Sequence, residues 1–404
     1  HARKPICVQC DKTRSQSPTD WRVGDAEAMH GPVERAPAAA PSCCPLFWMH
    51  TISPLLLARQ TIFRLPIVCT SRTFSAMPPN KLPESSPNFA SEDGRYHRQT
   101  SDFLHHVAKG TKFEPEVGRY KLIVSLACPW AHRALIVRHL KRMHEVENLL
   151  PLTIVDTFLG REGWSVAHLN VDRPNVHGTG NNIPGHESKR FLREFYLEAD
   201  PSYAKRPTVP VLWDNKLNTI VNNESSELIR CLNTAFDDFL PEEVRGVTYY
   251  PEDLRKDIDA FHEWVLPNIN NGVYRSGFAS SMDAYQEAVI PLFESLERVD
   301  KEIGNKKFVM GNRLTEADIR LFTTIVRFDP VYHGHFKCNI QQIRGGGLPN
   351  LHRWLREMYW TIPAFKETTC FESIKVHYYS SHVNINPTSI VPVGPIPPIM
   401  PLDA

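Results

Sequence analysis

The apolar positions of this chain change period as one moves along it, and the changes mark out two halves. The run Leu122-Ile-Val is short, β-branched and uninterrupted by charge, which predicts a buried strand. From Ala131 to about His144 the spacing turns helical, with Leu135, Ile136, Val137 and Leu140 as the buried side. Residues 152–156 read as a second strand, and residues 191–199 as a helix. Arg206-Pro-Thr-Val-Pro-Val-Leu-Trp-Asp214 and Asn218-Thr-Ile-Val221 then predict strand, turn, strand. An amphipathic run through Leu228, Ile229, Leu232 and Phe236 predicts the helix that closes this half.

From Pro251 onward no strong strand pattern appears. Residues 252–265, 284–303, 315–327 and 348–360 all carry helical periodicity. Thr315 and Asp318 fit the capping box, in which a hydroxyl and a carboxylate three residues apart satisfy the first free amides of a helix. The expected architecture is therefore an α/β domain over residues 118–245 followed by an all-α domain over 250–380. A Pro-rich tail, 381–404, reads as extended coil over the surface.

The first 117 residues look different. Residues 1–76 read as a disordered leader. Within them, residues 49–74 have arginines, hydroxyls and apolar residues, and no Asp or Glu occurs from Arg35 to Pro83, the composition of a mitochondrial presequence. Met77 offers an alternative start that would leave the protein in the cytosol, so the expected location is cytoplasmic or mitochondrial. Cys7 and Cys10 have no second ligand pair at zinc-site spacing. Residues 77–117 are polar and irregular and predict an extension that wraps a domain. One short helix is expected in 91–110, with Phe103, Leu104 and Val107 as its apolar face.

Composition narrows the function classes. The 404 residues carry a formal net charge of +1 and are 42% hydrophobic, an ordinary globular composition with room for two domains. No basic stripe points to nucleic acid, and no apolar run is long enough to span a bilayer, because Arg59 and Arg64 break the best candidate. Cys128, Cys231, Cys338 and Cys370 are scattered, as suits free thiols in a reducing compartment.

Candidate chemistry concentrates at Cys128-Pro-Trp-Ala-His-Arg133. A strand ends, and Pro129 fits the first turn of the helix that follows. Cys128 then sits at a helix N-terminus, where free amides and the helix dipole favour a thiolate and should lower its pKa, with His132 and Arg133 one turn in as helpers. Ala131 stands where a dithiol oxidoreductase would carry its second cysteine, so the thiol is expected to capture a sulfur from another molecule. A small buried hydrophobe is the competing reading of Cys128.

Other candidates lie farther along. The Gly-, Asn- and His-rich insert 158–184 contains Trp164, an aromatic able to cover a ligand. Pro210 occupies the place where thioredoxin-like folds use a cis proline, which frees the preceding backbone to pair with a peptide. Glu224 and Ser225 open a helix, where the dipole can receive a carboxylate and Glu224 can hold an ammonium. Tyr274, Tyr332 and the pair Tyr378-Tyr379 stand in polar or Gly-rich stretches read as turns, with phenols able to donate to a quinone-like oxygen. His333, His335 and Cys338 lack an evident fourth metal ligand, and no metal is expected.

A thioredoxin-like domain with a lone cysteine, followed by a helical domain with this capping box, resembles a glutathione transferase. Cys128-Pro-Trp-Ala-His-Arg133, Thr208-Val-Pro-Val-Leu-Trp-Asp214, Asn222-Asn-Glu-Ser225, Asn271-Gly-Val-Tyr274 and Ile374-Lys-Val-His-Tyr-Tyr-Ser-Ser-His382 resemble the xi class, the glutathionyl-hydroquinone reductases, over roughly residues 90–395. The resemblance implies glutathione as co-substrate, glutathionylated aromatic hydroquinones as substrates, a homodimer, and a Cys128–glutathione mixed disulfide as intermediate. It also implies that Trp164 lies over glutathione, that the Val209 backbone pairs with its cysteinyl part, and that Glu224 and Ser225 hold the γ-glutamyl end, with Arg206 a further ligand to its charge. Tyr274, Tyr332 and one of Tyr378 or Tyr379 would line the aromatic site and assist protonation. Two alternatives stand beside this: an omega-like thioltransferase or dehydroascorbate reductase, and a non-catalytic ligand carrier on the same fold.

Overall fold

The structure is a computed structural model that describes residues 89–167 and 178–404. The expectations for the leader, the presequence, Cys7 and Cys10, Met77 and the middle of the 158–184 insert lie outside these residues.

The first half is built on a four-stranded sheet. Its strands are β1 (Tyr120–Val124), β2 (Leu152–Ile154), β5 (Val211–Asp214) and β6 (Thr219–Asn222), while β3 (Leu159–Gly160) and β4 (Gly163–Trp164) form a separate small hairpin. The sheet order is β2-β1-β5-β6. β1 runs parallel to β2, with Leu122 opposite Leu152, and antiparallel to β5, with Leu122 opposite Leu212 on its other side. Every residue of β1 is buried, as expected for a strand covered on both faces, and this explains a run without polar alternation. The helices α1 (Pro129–Leu140) and α3 (Ser225–Thr234) pack together, and α2 (Leu192–Ala199) packs against β6. α1 ends earlier than its apolar pattern suggests, because Arg142 adopts a left-handed conformation (φ 53°) and a single 3₁₀ turn follows.

The second half is helical: α4 (Arg255–Val265), α5 (Gly272–Gly277), α6 (Met282–Ile303), α7 (Glu316–Ile325), α8 (Pro349–Thr361), α9 (Pro363–Glu367) and α10 (Phe371–Ser381). The capping box forms at α7. The Asp318 carboxylate accepts from the Thr315 amide at 3.1 Å, and also from the Val309 amide and the Trp354 indole. α1 packs against α7 and α9, so the two halves share one continuous core. Among the described residues no helix is long and apolar enough to cross a membrane.

Two local expectations are corrected. Residues 91–110 form no helix. Leu104 bridges Asn222 in antiparallel fashion, the His105 amide donates to the Val221 carbonyl, and the Asn223 amide donates to the Phe103 carbonyl. The open edge of β6 supplies the hydrogen bonds a helix would have made internally, and the exposed Leu104 faces away from the core. The tyrosine segments are not turns either: Tyr274 lies in α5, Tyr332 ends a single helical turn (Phe328–Tyr332), and Tyr378 lies in α10. Both sides of α10 are buried, so the sequence there has no polar face to betray a period.

Candidate active site

A cleft of about 370 Å³ opens between the N-terminal extension and the first half. Phe89, Tyr96, Arg98 and Ser101 come from the extension, Cys128 and Trp130 from the start of α1, and Trp164 from the small hairpin. Arg206, Val209 and Ser225 complete the walls.

Cys128 is the N-cap of α1, extended at φ −74° and ψ 124°, with Pro129 at the first helical position. Part of its surface opens to the cleft. The local geometry is the one the sequence predicts, but the electrostatic consequence differs. Burial pushes the thiol above its ordinary value of 9.0. The Ala131 and Trp130 amides and the Arg327 and Arg98 guanidiniums pull it down without offsetting that effect. His132 and Arg133 do not serve it. His132 is buried, kept neutral by burial and by Arg327, and bonded to Thr368 and Arg327. Arg133 turns to Ser225 Oγ at 3.3 Å and Asn270 Oδ1 at 3.2 Å.

Opposite Cys128 the chain enters β5 through a cis Val209–Pro210 bond. Tyr196 fixes this turn: its hydroxyl donates to the Thr208 carbonyl at 2.8 Å and accepts from the Thr208 amide at 3.2 Å. Asn223 donates to the same hydroxyl, which ties the turn to the start of α3. Arg206 stacks its guanidinium on Phe89, and Gln99 brackets its backbone with two hydrogen bonds.

Asn223 and Ser225 line the cleft, while the Glu224 carboxylate caps α3. It accepts from the Ser226 amide at 3.3 Å and from Ser101 Oγ at 3.0 Å. Burial raises its pKa, but Arg98, the Ser226 amide, Ser101 and Arg133 outweigh burial, and the net shift is downward. Glu224 therefore holds a negative charge beside the cleft. Trp164 is buried and stacks on His377 of α10, with ring centres 5.0 Å apart.

The tyrosines come together behind this wall. The Tyr378 hydroxyl lies 2.5 Å from that of Tyr274 and 3.1 Å from that of Tyr332. Tyr274 stacks on Trp130 at 6.3 Å and lies 6.0 Å from Tyr96. The three phenols are thus one layer deeper than the cleft surface. Burial pushes the Tyr332 phenol up to about 12 and those of Tyr274 and Tyr378 well above 10, so all three are neutral donors at pH 7. Tyr379 turns away, donating to the Pro330 carbonyl, which makes Tyr378 the residue of that pair that joins the cluster.

Sequence reasoning missed Arg98, Ser101, Tyr196 and Arg327. Arg98 covers the Trp130 ring at 3.7 Å. Only the extension's polar character hinted at a role, and nothing local tied it to a cysteine thirty residues away. Among the described residues no group of histidine, cysteine, aspartate or glutamate is arranged to hold a metal. His335 pairs with His382 at 3.1 Å, and Cys338 faces backbone carbonyls.

The comparisons agree with this architecture. The glutathione S-transferase N-terminal domain matches residues 127–235, and the glutathione S-transferase C-terminal domain matches residues 282–357. A Schizosaccharomyces pombe protein named glutathione S-transferase omega-like 2 is 48% identical over 314 residues, covering 77% of this chain and 96% of its own. A glutathionyl-hydroquinone reductase of Escherichia coli is 44% identical over 313 residues, covering 76% and 90%. The crystal structure of a xi glutathione transferase from Phanerochaete chrysosporium is 49% identical, covers 80% of this chain and all of its own, and superposes with a TM-score of 0.73. A xi glutathione transferase from Saccharomyces cerevisiae, solved in complex with glutathione, is 40% identical with a TM-score of 0.71, covering 76% and 99%. With the helix-capping thiol, the cis-proline turn and the helical second half in place, the chain belongs to the xi class of the glutathione transferases.

Proposed function

We propose that the protein reduces S-glutathionyl-hydroquinones to hydroquinones at the expense of glutathione. The observation that carries this reading is the pairing of a lone cleft-lining thiol, Cys128, with three hydrogen-bonded neutral phenols directly behind the cleft wall. Relatives named glutathionyl-hydroquinone reductases, and related structures solved with glutathione bound, support the choice of substrate and co-substrate.

In this reading the glutathionyl part lies along Trp164, Arg206 and Val209, with its γ-glutamyl end at Ser225 and Glu224. The aromatic ring lies against Phe89, Tyr96 and Trp130. Pairing of the glutathionyl backbone with Val209 frees the thiol, which now donates to the Val209 carbonyl. The Cys128 sulfur, having given up its proton, attacks the glutathionyl sulfur. An S–S bond forms, the sulfur–aryl bond breaks, and the electron pair goes to the ring carbon, which takes up one proton. That proton comes from the Tyr274–Tyr378–Tyr332 chain, relayed across the Trp130–Tyr96 wall by one water, and the chain is refilled by the same route; positioned acids of this kind contribute about 10²- to 10⁴-fold. A second glutathione then attacks the mixed disulfide, releasing oxidised glutathione and restoring the Cys128 thiol. Among the described residues every other cysteine is buried, so no second thiol competes for the intermediate. Assembly as a homodimer is proposed with this reading, and light scattering tests it.

The test uses the purified chain, glutathione and a glutathionyl-menadiol adduct, with dehydroascorbate in parallel. The expected result is Cys128-dependent loss of the adduct with one oxidised glutathione formed per turnover. Full activity in Cys128→Ser would refute the mechanism. Dehydroascorbate reduction without adduct turnover would favour the omega-like reading, which draws on the omega-like names of the yeast relatives.

A further inference from the structure

Arg327 is fully buried, yet among the described residues no carboxylate lies within ion-pair distance of it. Its guanidinium is instead committed to neutral partners. Nε donates to the Ala127 carbonyl at 2.9 Å and Nη2 to the Leu126 carbonyl at 3.4 Å. Nη1 donates to the Thr323 carbonyl at 2.7 Å and to His132 Nδ1 at 3.0 Å. A buried charge without a counter-ion is costly, and structures keep one where another group supplies the opposite charge.

The placement of these bonds says which group that is. Leu126 and Ala127 are the last two residues before Cys128, so the side chain grips the turn that presents the thiol. The main chain of Arg327 does a second job. Its carbonyl accepts from the Val331 and Tyr332 amides, at 3.1 and 3.2 Å, and so starts the helical turn that carries Tyr332. One residue of the helical domain therefore fixes both the cysteine turn and one end of the tyrosine chain.

Of the other charged groups nearby, the buried Arg133 is committed to Ser225 and Asn270 and the Glu224 carboxylate caps α3; the rest are neutral at pH 7 or lie at the surface. His132 and His377 are buried and held neutral, and Tyr274, Tyr332 and Tyr378 are neutral phenols. Arg98, the other cation near the sulfur, is exposed at the cleft mouth, where solvent and salt screen it. The Arg327 charge is not screened in this way.

We infer that Arg327 is a positioning residue for the reaction: its buried guanidinium is the standing counter-charge of the Cys128 thiolate, supplied across the domain boundary through the Leu126–Ala127 turn. Its effect on the anionic forms of Cys128, Tyr332 and Tyr378 has the sign this role requires. The inference rests on Cys128 reacting as a thiolate, as in the proposed function, but its test needs no hydroquinone turnover.

The test is the pH profile of Cys128 alkylation by iodoacetamide in the full chain, read by mass spectrometry at that residue. Arg327→Gln, checked as folded by circular dichroism, is expected to raise the inflection by at least one pH unit, a tenfold loss of thiolate at pH 7. Arg327→Lys, which keeps the charge and loses the fork, is expected to recover at least half of that shift. An unchanged inflection in Arg327→Gln overturns the proposal. So does an Arg327→Lys inflection displaced as far as that of Arg327→Gln, which would leave only a structural hold on the turn. If the glutamine variant does not fold, the wild-type protein carries the test. The Arg327 Cζ resonance is expected to move with the Cys128 titration and to stay flat in Cys128→Ser; a flat resonance in the wild type overturns the proposal. Failure of adduct turnover in the wild type would refute the hydroquinone reading and leave these alkylation results interpretable.

Discussion

The thiol of Cys128 donates to the carbonyl oxygen of Val209, 3.6 Å away, joining the start of α1 to the turn before β5. The contact holds the sulfur as a protonated donor, and burial adds to it. The protein without added ligand is therefore expected to show a Cys128 alkylation inflection above 9.0, with slow alkylation at pH 7. An inflection below 8 would mean that the helix N-terminus and the two guanidiniums dominate over burial.

Tyr378 and Tyr379 are adjacent in sequence but play different parts. Tyr378 links Tyr274 to Tyr332, whereas Tyr379 donates to a backbone carbonyl. Tyr378→Phe is expected to lower turnover of a glutathionyl-hydroquinone by about 10²-fold. It should cost about 1–2 kcal/mol of stability, because two buried hydroxyls lose a partner. Tyr379→Phe should leave turnover within about threefold, since hydroxyl removal there touches no member of the chain. Steady-state kinetics on the two variants, with urea denaturation alongside, separates these outcomes; equal losses would remove the tyrosine chain from the mechanism.

What could be read from sequence was what local rules govern. A β-branched run ending in Cys128-Pro129 specifies strand, N-cap and helix within a dozen residues, and Thr315 with Asp318 specifies a helix start within four. The arrangements that escaped notice are those that local rules do not reach. Arg327 meets Ala127 across 200 residues, and neither position carries a mark of the other. The upward shift of Cys128 depends on how deeply the turn is buried, a property of the assembled domains. Residues 103–107 alternate too briefly to be told from a helix turn until the free edge of β6 is known. The α10 tyrosines hide because their helix is buried nearly all round.

Asp318 is the anchor of the helical domain. Its carboxylate, fully buried, accepts from the Val309 and Thr315 amides and the Trp354 indole. The Thr315 hydroxyl donates to it as well, so Asp318→Ala leaves four buried donors without this acceptor and should cost about 3–5 kcal/mol in chemical denaturation. Burial raises the carboxyl pKa from 3.8 to about 6, against the pull of these donors. The folded protein thus holds that proton more tightly than the unfolded chain. The stability it contributes is complete below pH 3.8 and is lost as pH rises through about 6. Relative to Asp318→Asn, the wild type is expected to lose roughly 3 kcal/mol between those limits. A difference independent of pH would show that the carboxyl titrates alike in the folded and unfolded states.

Gly277 decides how closely α5 approaches the tyrosine cluster. A Cβ added there would sit 2.2 Å from the Phe336 ring carbons and 2.7 Å from its Cβ. Phe336 is fully buried and stacks on Tyr332 with ring centres 5.5 Å apart and planes 11° from parallel. It also meets Tyr378 and Tyr274 edge-on, each at 5.5 Å. It therefore has no open side to move into, and relief of the clash must shift the phenols. Gly277→Ala should cost about 1–3 kcal/mol of stability by overpacking. Turnover of the glutathionyl-hydroquinone should fall at least tenfold, because the Tyr274–Tyr378 and Tyr332–Tyr378 contacts are disturbed together. The KM for glutathione should stay within about twofold, since Val209, Ser225 and Trp164 lie on other elements. Gly272, on the same helix, is the matched control. Its added Cβ would meet Leu292 at 3.6 Å, an ordinary contact, so Gly272→Ala should be neutral or stabilising by about 0.5–1 kcal/mol. Thermal denaturation and steady-state kinetics on the two variants decide the matter. Equal behaviour would mean that the space around Phe336 relaxes without reaching the phenols, and the tyrosine chain would then tolerate displacement that this geometry says it cannot.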